Sequence, residues 1–199
     1  MSDSLAPDAV KPLLRGRFGH VYRYAETADS TQRMLAGDEA EGAVAVAEQQ
    51  TEGRGRLGRA WEAPAGTSVL VSVLLLPAVE APKLPELSLA AGGAVAQAIA
   101  EVTGLEPAIK FPNDVLLGGR KVAGILAESS EGRVVLGIGV NANQTLEQLP
   151  VDAKTEPTSL RLELGEPVSR VRLLAAILLQ LERAYDAWVP GTRGTSKSG

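Results

Sequence analysis

Apolar and polar residues alternate along the chain in patterns that predict both strands and helices. The strongest strand pattern is the apolar run at 67–76, which Pro77 ends. A long final helix is predicted after Ser169, because apolar residues recur from there to residue 188 at helical spacings. The other predicted strands cover residues 18–24, 42–48, 108–111, 119–128 and 133–140, and the other predicted helices cover residues 32–36, 84–102 and 159–163. Closely spaced strands mixed with helices predict an α+β fold with a mixed, largely antiparallel sheet flanked by helices.

The same pattern divides the chain into three parts. Residues 1–14 are polar and interrupted by proline, so we predict a loose N-terminal arm. Residues 15–189 hold all the strand and helix patterns and are predicted to form one folded domain. Residues 190–199 contain Gly, Ser, Thr and Lys but no apolar side chain, which predicts a flexible tail.

The amino-acid composition excludes several functional classes. The 199 residues include 20 Lys+Arg against 24 Asp+Glu, a balance that argues against a globally basic nucleic-acid binder. The absence of cysteine excludes disulfides, thiolate zinc sites and a cysteine nucleophile. No apolar run is long enough to cross a bilayer and no signal-peptide pattern begins the chain, so we expect a cytoplasmic protein.

A glycine- and arginine-rich segment follows the second predicted strand. Residues 53–58 match G-x-G-x-x-G, but no helix pattern follows, as a dinucleotide-binding fold would require. Arg54, Arg56 and Arg59 instead offer three guanidinium groups, which suit phosphate or carboxylate ligands, and Trp61 is placed to close over a flat ligand. The alternatives are a solvated turn and a nucleic-acid-binding segment, the latter disfavoured because the chain has few aromatic residues for stacking.

Two lysines form a second candidate cluster. Lys110 precedes a polar corner at 113–114, and Lys121 begins the next strand. Alternation predicts that Lys121 shares a face with Ala123 and Ile125, where a cation is costly unless it meets an anion. The alternative is that both lysines extend to solvent at strand ends.

Two glycines mark the last predicted strand. The segment 137–141 reads G-I-G-V-N, and glycines inside a strand indicate close approach of a ligand or of another backbone. An ordinary bulge and turn is the alternative.

Five motifs, taken in order, carry a family resemblance. They are S-T-Q at 30–32, Q-T-E-G-R-G-R-L-G-R-A-W at 50–61, K-F-P-N-D at 110–114, K-V-A-G-I-L at 121–126 and G-I-G-V-N at 137–141. Together they closely resemble the biotin protein ligases, the biotin–[acetyl-CoA-carboxylase] ligase family, over about residues 18–189. The resemblance implies that residues 15–189 are the catalytic domain, with a fold related to class II aminoacyl-tRNA synthetases.

The resemblance also implies a reaction. Biotin would be activated by ATP to biotinyl-5′-AMP with release of pyrophosphate, and then transferred to a lysine of a biotin carboxyl carrier protein. ATP, biotin and Mg²⁺ are the expected ligands. We expect no DNA or membrane partner, and a monomer or a homodimer.

Site residues are implied motif by motif. The residues implied in catalysis are Lys121, Arg56, Lys110 and Asp114, with Asp114 also a candidate Mg²⁺ ligand beside the ATP phosphates. Those implied to bind biotin are Ser30, Thr31, Gln50, Gly53, Arg54 and Gly124. Those implied on the ATP and adenylate side are Arg59, Trp61, Asn113, Ile125, Gly139 and Asn141.

The chain departs from the family pattern at three points. Gln32 stands where the family usually has Asn, and Phe111 where it usually has Trp. The small C-terminal β-barrel usual in the family is not expected in this chain, and neither is an N-terminal helix-turn-helix segment. Two alternatives remain: a lipoate or octanoate ligase of the same fold, and a non-catalytic biotin-sensing domain.

Overall fold

The structure is a computed structural model that describes residues 3–77, 83–151 and 153–189. The strands in these ranges are β1 (Tyr22–Ala28), β2 (Val44–Gln50), β3 (Ser68–Leu75), β4 (Ala108–Lys110), β5 (Asp114–Leu117), β6 (Arg120–Ser130) and β7 (Arg133–Asn141). The α-helices are α1 (Pro7–Val10), α2 (Leu84–Thr103), α3 (Leu160–Leu164) and α4 (Arg170–Trp188). The predicted tail at 190–199 lies outside the described residues.

All seven strands belong to one mixed sheet with the order β1-β2-β3-β7-β6-β5-β4. Only the β1–β2 pair is parallel among the pairings of the described strands. The α+β prediction with a largely antiparallel sheet is therefore confirmed. No helix in the described ranges is long and apolar enough to cross a membrane.

The first strand and the first helix differ from their predictions. Gly19 adopts φ 91° and turns the chain, so Phe18 leaves the strand pattern and packs in the core, and β1 begins at Tyr22. The helix predicted at 32–36 is a single 3-10 turn, Arg33–Leu35. The strand β5 was not predicted, because four residues are too few to show a clear alternation.

The central strand β3 is buried on both faces. Val69, Val71 and Val73 face the main core, which α2 and α4 cover. The intervening residues point to the opposite face of the sheet. There, Leu74 packs in a small second cluster with Leu35, and Leu70 lines the cavity described below.

The described part of the N-terminal arm packs on the domain, so the prediction of a loose arm is wrong. Leu5 and Val10 are fully buried, because α4 and the main core offer an apolar surface to them. Arg170, only 3% exposed, fixes the arm: its guanidinium donates to Oδ2 of Asp3 at 2.9 Å and to Oε2 of Glu48 at 2.7 Å. A third bond, to the carbonyl of Ser68, joins β3 to the same group.

Replacing Arg170 by Ala is expected to destabilise the protein strongly. The carboxylate of Glu48, whose side chain is only 13% exposed, would lose its cation, and breaking such a buried pair costs about 3–5 kcal/mol in the free energy of unfolding. Urea denaturation measures the loss. Arg15→Ala, which removes an exposed guanidinium that donates only to the nearby carbonyls of Pro12 and Leu14, is the control and should cost less than about 0.5 kcal/mol.

Candidate active site

A cavity opens on the sheet face opposite α2 and α4. Its walls come from β2, β3, β6 and β7, from the turn after β1 and from the segment 53–61, here called the Gly/Arg loop. The residues that line it are Ser30, Thr31, Gln32, Gln50, Arg54, Gly55, Arg56, Trp61, Leu70, Asn113, Lys121, Gly124, Ile125, Leu126, Gly137, Ile138 and Gly139. Eleven of the sixteen site residues implied by the resemblance are therefore brought to one place.

The floor of the cavity lacks side chains where β6 meets β7. Gly124 and Gly139 are cross-strand partners, and the indole of Trp61 lies over them. A Cβ on Gly139 would lie 2.5 Å from Cε2 of Trp61, and one on Gly124 would lie 2.9 Å from Cζ3. The indole can lie there only because both residues are glycine.

The Gly/Arg loop is folded down over this floor. The amide of Trp61 donates to the carbonyl of Gly53 at 2.9 Å, which draws the two ends of the loop together. Its arginines reach across the cavity: Arg54 pairs with Glu128 of β6 at 2.8 Å, and Arg56 donates to Oδ1 of Asn113 at 3.1 Å. The loop therefore holds two guanidinium groups at the rim.

Lys121 lies at the edge of the floor. Its Nζ is 2.7 Å from Oδ1 of Asp114 and 5.4 Å from the centre of the Trp61 ring. The contact with Asp114 is an ion pair, and both side chains are largely buried. A cation with one carboxylate partner beside a cavity is suited to an anionic ligand.

Simple alternation placed Lys121 on the wrong face. Val115 and Leu116 are adjacent in β5, but their partners in β6 are Ala123 and Lys121, so β6 carries one extra residue. Such a bulge reverses the facing of the side chains before it. Lys121 therefore lies over Gly124, while the side chain of Ile125 points to α2, near Gly92.

The turn after β1 holds a buried polar network. Oε1 of Gln50 accepts from the amide of Thr31 at 2.8 Å and from its hydroxyl at 3.1 Å, and that hydroxyl is 2.8 Å from Oγ of Ser72. Thr31 thereby orients the Gln50 amide, whose Nε2 is left facing Gly53. Ser30 is 1% exposed and accepts from the amide of Gln32.

Asp29 supports this turn from outside. Its carboxylate accepts from the amide of Ser30 at 2.6 Å and pairs with Arg33 at 2.8 Å. The hydrogen bond from Arg33, followed by that from Ser30, lowers the pKa of Asp29 below its usual range. The contact is therefore present at neutral pH and is lost only as the pH falls through that lowered pKa.

Five of the implied residues do not line the cavity. Gly53 contacts the side chain of Gln50, and Asp114 forms an ion pair with Lys121, so both lie next to residues that line the cavity. Lys110 is at the exposed end of β4 and donates to Oγ1 of Thr155, and Arg59 is exposed on the loop. Asn141 is turned away: its amide donates to the carbonyl of Thr158 and accepts from Gln144, so it holds the chain after β7 instead of facing a ligand.

Two residues at the site, Gln32 and Glu128, had no role assigned to them from the sequence. Gln32 extends its amide over Gly137, with long contacts of 3.4 Å to the carbonyls of Leu126 and Val135. Glu128 holds Arg54. The glycine pattern was a signal for the first contact, whereas nothing in the sequence distinguishes Glu128 from other exposed acids.

All the residues that line the cavity lie within the part of the chain that a family model matches. The model of the Biotin/lipoate A/B protein ligase family matches residues 24–144, and the chain belongs to this family. The resemblance carried by the five motifs is confirmed.

Two curated relatives are ligases by name. The bifunctional ligase/repressor BirA of Bacillus subtilis is 40% identical over 171 residues, which cover 81% of this chain and 53% of that protein. The biotin–[acetyl-CoA-carboxylase] ligase of Mycobacterium tuberculosis is 42% identical over 81% of this chain and 60% of its own length. The chain thus spans only about half to three fifths of these relatives.

A solved structure shares the fold. The biotin protein ligase of Aquifex aeolicus in complex with biotin and ATP superposes with a TM-score of 0.76 at 32% identity. The match covers 85% of this chain and 72% of the other.

Gly139→Ala is expected to move the Trp61 indole off the floor. The new Cβ would lie 2.5 Å from the ring, so the ring must leave and become solvated. In a Trp188→Phe background, where Trp61 is the remaining tryptophan of the chain's two, its emission should shift to the red. Gly93→Ala is the control, because its Cβ would have no neighbour closer than 3.8 Å; equal emission in both variants would contradict the packing described.

Thr31→Val is expected to weaken the fold through the buried network. The substitution leaves Ser72 without its hydroxyl partner, and an unpaired buried polar group costs about 1–3 kcal/mol in the free energy of unfolding. Thr27→Val, at an exposed position of β1, should change stability by less than about 0.5 kcal/mol. Chemical denaturation of the two variants makes the comparison.

Proposed function

We propose that the chain is an ATP-dependent biotin protein ligase. It activates biotin to biotinyl-5′-AMP and pyrophosphate, then transfers biotin to a lysine of a biotin carboxyl carrier protein. The observation that carries the proposal is the convergence of Lys121 and Arg56 on the cavity that also contains Ser30 and Gln50. One cavity thus contains cationic groups suited to a phosphate and polar groups suited to a neutral head group.

The first step joins two anions, so its main requirement is charge stabilisation. A carboxylate oxygen of biotin attacks the α-phosphorus of ATP, the new P–O bond forms as the bond to pyrophosphate breaks, and no enzyme nucleophile takes part. Lys121 and Arg56 are proposed to hold the carboxylate and the α-phosphate together and to stabilise the negative charge of the transition state. Lys110, exposed at the strand end, is proposed to meet the outer phosphates.

The second step needs an amine and a leaving group. The neutral amine of the carrier lysine attacks the carbonyl carbon of the mixed anhydride, the bond from that carbon to the phosphate oxygen breaks, and the amine's proton passes to solvent water as the amide forms and AMP leaves. AMP departs as a phosphate anion, whose charge Lys121 and Arg56 are again placed to stabilise. Folding of the Gly/Arg loop over the cavity would keep water from the anhydride between the two steps.

The described protein groups alone offer few ligands for Mg²⁺. Asp114 is the one carboxylate beside Lys121, and the described residues contain no cluster of three His, Cys, Asp or Glu side chains that would hold a metal. Mg²⁺ commonly binds through substrate phosphates and one or two carboxylates. We therefore assign its binding to the ATP phosphates, with the carboxylate of Asp114 as the candidate protein ligand; the metal would neutralise phosphate charge.

The polar end of the cavity favours biotin over lipoate. The Nε2 of Gln50 is directed towards the loop, and Gln32 adds a second amide at the cavity wall. Amide and hydroxyl groups match the donors and acceptors of a ureido ring, whereas a purely apolar tail would leave them unpaired. Arg59, Trp61 and Asn113 are proposed to meet the adenylate from the loop side.

Biotin-dependent exchange of labelled pyrophosphate into ATP tests the proposal. Wild-type protein should support exchange, and Lys121→Met or Arg56→Ala should lower its rate by about 10²–10³-fold, because each removes a charge that stabilises the transition state. Arg15→Ala is the matched control, because this arginine is exposed and donates to the nearby carbonyls of Pro12 and Leu14; exchange should be unaffected.

The alternatives give different outcomes in the same assay. Exchange with lipoate or octanoate but not with biotin would assign the chain to the lipoate ligases. Biotin binding without any exchange would indicate a sensing domain.

A further inference from the structure

The backbone of Lys121 has partners that come from outside the regular sheet. The pairing of β6 with β7 begins only at Ala123, and the bulge interrupts the pairing of β6 with β5 on the other side. The segment 156–158, here called the strap, forms a bridge with Lys121 where β7 has already ended. The amide of Lys121 donates to the carbonyl of Glu156 at 2.7 Å, and its carbonyl accepts from the amide of Thr158 at 2.8 Å. The strap therefore binds both backbone polar groups of the residue that carries the ammonium group.

One carboxylate joins the strap to β6. Glu163 of α3 accepts from the hydroxyl of Thr158, and its two oxygens lie 2.8 Å and 3.0 Å from the guanidinium of Arg120. The Glu163 side chain is only 16% exposed, and charge-assisted bonds of this kind are about twice as strong as neutral ones. Arg120 precedes Lys121 in the strand, and Thr158 bonds to its carbonyl. Glu163 thus links the two neighbours between which the backbone of Lys121 is held.

Glu163 is not one of the described residues that line the cavity, whereas Lys121 is. The ammonium group of Lys121 lies 2.7 Å from Asp114 and 5.4 Å from the centre of the Trp61 ring. Because this charge is carried on a long flexible stem, a shift of the backbone changes where it can lie. In a site that works by positioning, a displacement of about 1 Å can cost about 10²-fold in rate.

We propose that Glu163 is a positioning residue, which ties the strap to Arg120 and thereby fixes the backbone of Lys121 at the edge of the cavity floor. The inference rests on the proposed function for its consequence in catalysis, because Lys121 is there assigned to the carboxylate and the α-phosphate. Glu163 would affect the rate of the reaction and not the binding of biotin, since Ser30 and Gln50 come from other elements.

Amide hydrogen exchange tests the link directly and without a ligand. Glu163→Ala removes the acceptor of the Thr158 hydroxyl and the partner of Arg120, so the strap should separate from β6 more often. A hydrogen bond to a charged group changes an opening equilibrium by about 10- to 100-fold, so the protection of the Lys121 amide should fall by about that factor.

Glu182→Ala is the matched control. Glu182 of α4 is 15% exposed, pairs with Arg17 at 3.2 Å and accepts from the amide of Phe18 at 2.9 Å. Its loss should lower the overall stability as well, but it should leave the protection of the Lys121 amide unchanged. Equal loss of that protection in both variants would mean that Glu163 contributes only to general stability and would overturn the proposal.

Pyrophosphate exchange measures the consequence for the reaction. In Glu163→Ala, kcat should fall by about 10- to 100-fold while the KM for biotin changes by less than about twofold, because the polar end of the cavity is unaltered. Glu163→Gln keeps an oxygen for the Thr158 hydroxyl and loses the charge that holds Arg120. Its kcat should therefore lie between those of the parent and of Glu163→Ala, whereas Glu182→Ala should retain the kcat of the parent.

A Lys121→Met background separates positioning from general damage. The ammonium group is absent there, so adding Glu163→Ala should change kcat by less than about twofold. A further loss of about 10-fold or more in that background, or a rise in the KM for biotin at unchanged kcat, would contradict a positioning role. If the parent shows no biotin-dependent exchange, the proposed function fails, and the protection of the Lys121 amide still decides whether Glu163 holds the strap.

Discussion

The site depends on one constraint: glycines leave the cavity face of the sheet without side chains at the point where β6 and β7 pair. Gly124 and Gly139 pair across these strands, and Gly137 continues the same face. Any Cβ on the first two would displace the indole above, and one on Gly137 would press on Gln32 at 3.1 Å. The bare floor brings ligand-sized groups against the backbone, while Leu136, Ile138 and Val140 of β7 keep the opposite face packed in the main core. One pair of strands therefore serves the core and the cavity at once.

Much of this arrangement could be predicted from the sequence. The α+β class, the strong strand at β3 and the final helix followed from periodicity, because their apolar residues are buried at regular spacings. The cations at Arg54, Arg56 and Lys121 stood out because glycine-rich or apolar surroundings are unusual for charge. Candidate site residues can therefore be identified from the sequence when their residue type is unusual for the segment that contains them.

The rest depended on local geometry or on distant partners. The sheet face on which Lys121 lies was predicted wrongly, because a β-bulge shifts the alternation of side chains by one residue. No residue type in this strand indicates that bulge. Asn141 looked like a ligand contact, yet the chain after β7 uses both ends of its amide. Glu128 acquires its role only because Arg54 reaches it from 74 residues away. The arm was expected to be loose because its apolar residues are few, although two of them suffice to anchor it.

The Arg170 cluster has a consequence for the order in which the protein folds. Its guanidinium joins groups that lie 167, 122 and 102 residues earlier in the chain. Contacts of such separation close late, because the entropy of the intervening loop must be lost first. During synthesis, the arm and Glu48 of β2 must therefore wait for α4, the last helix described, before they are fixed. The nascent chain keeps the apolar side chain of Leu5 unburied until almost all of the domain has been made.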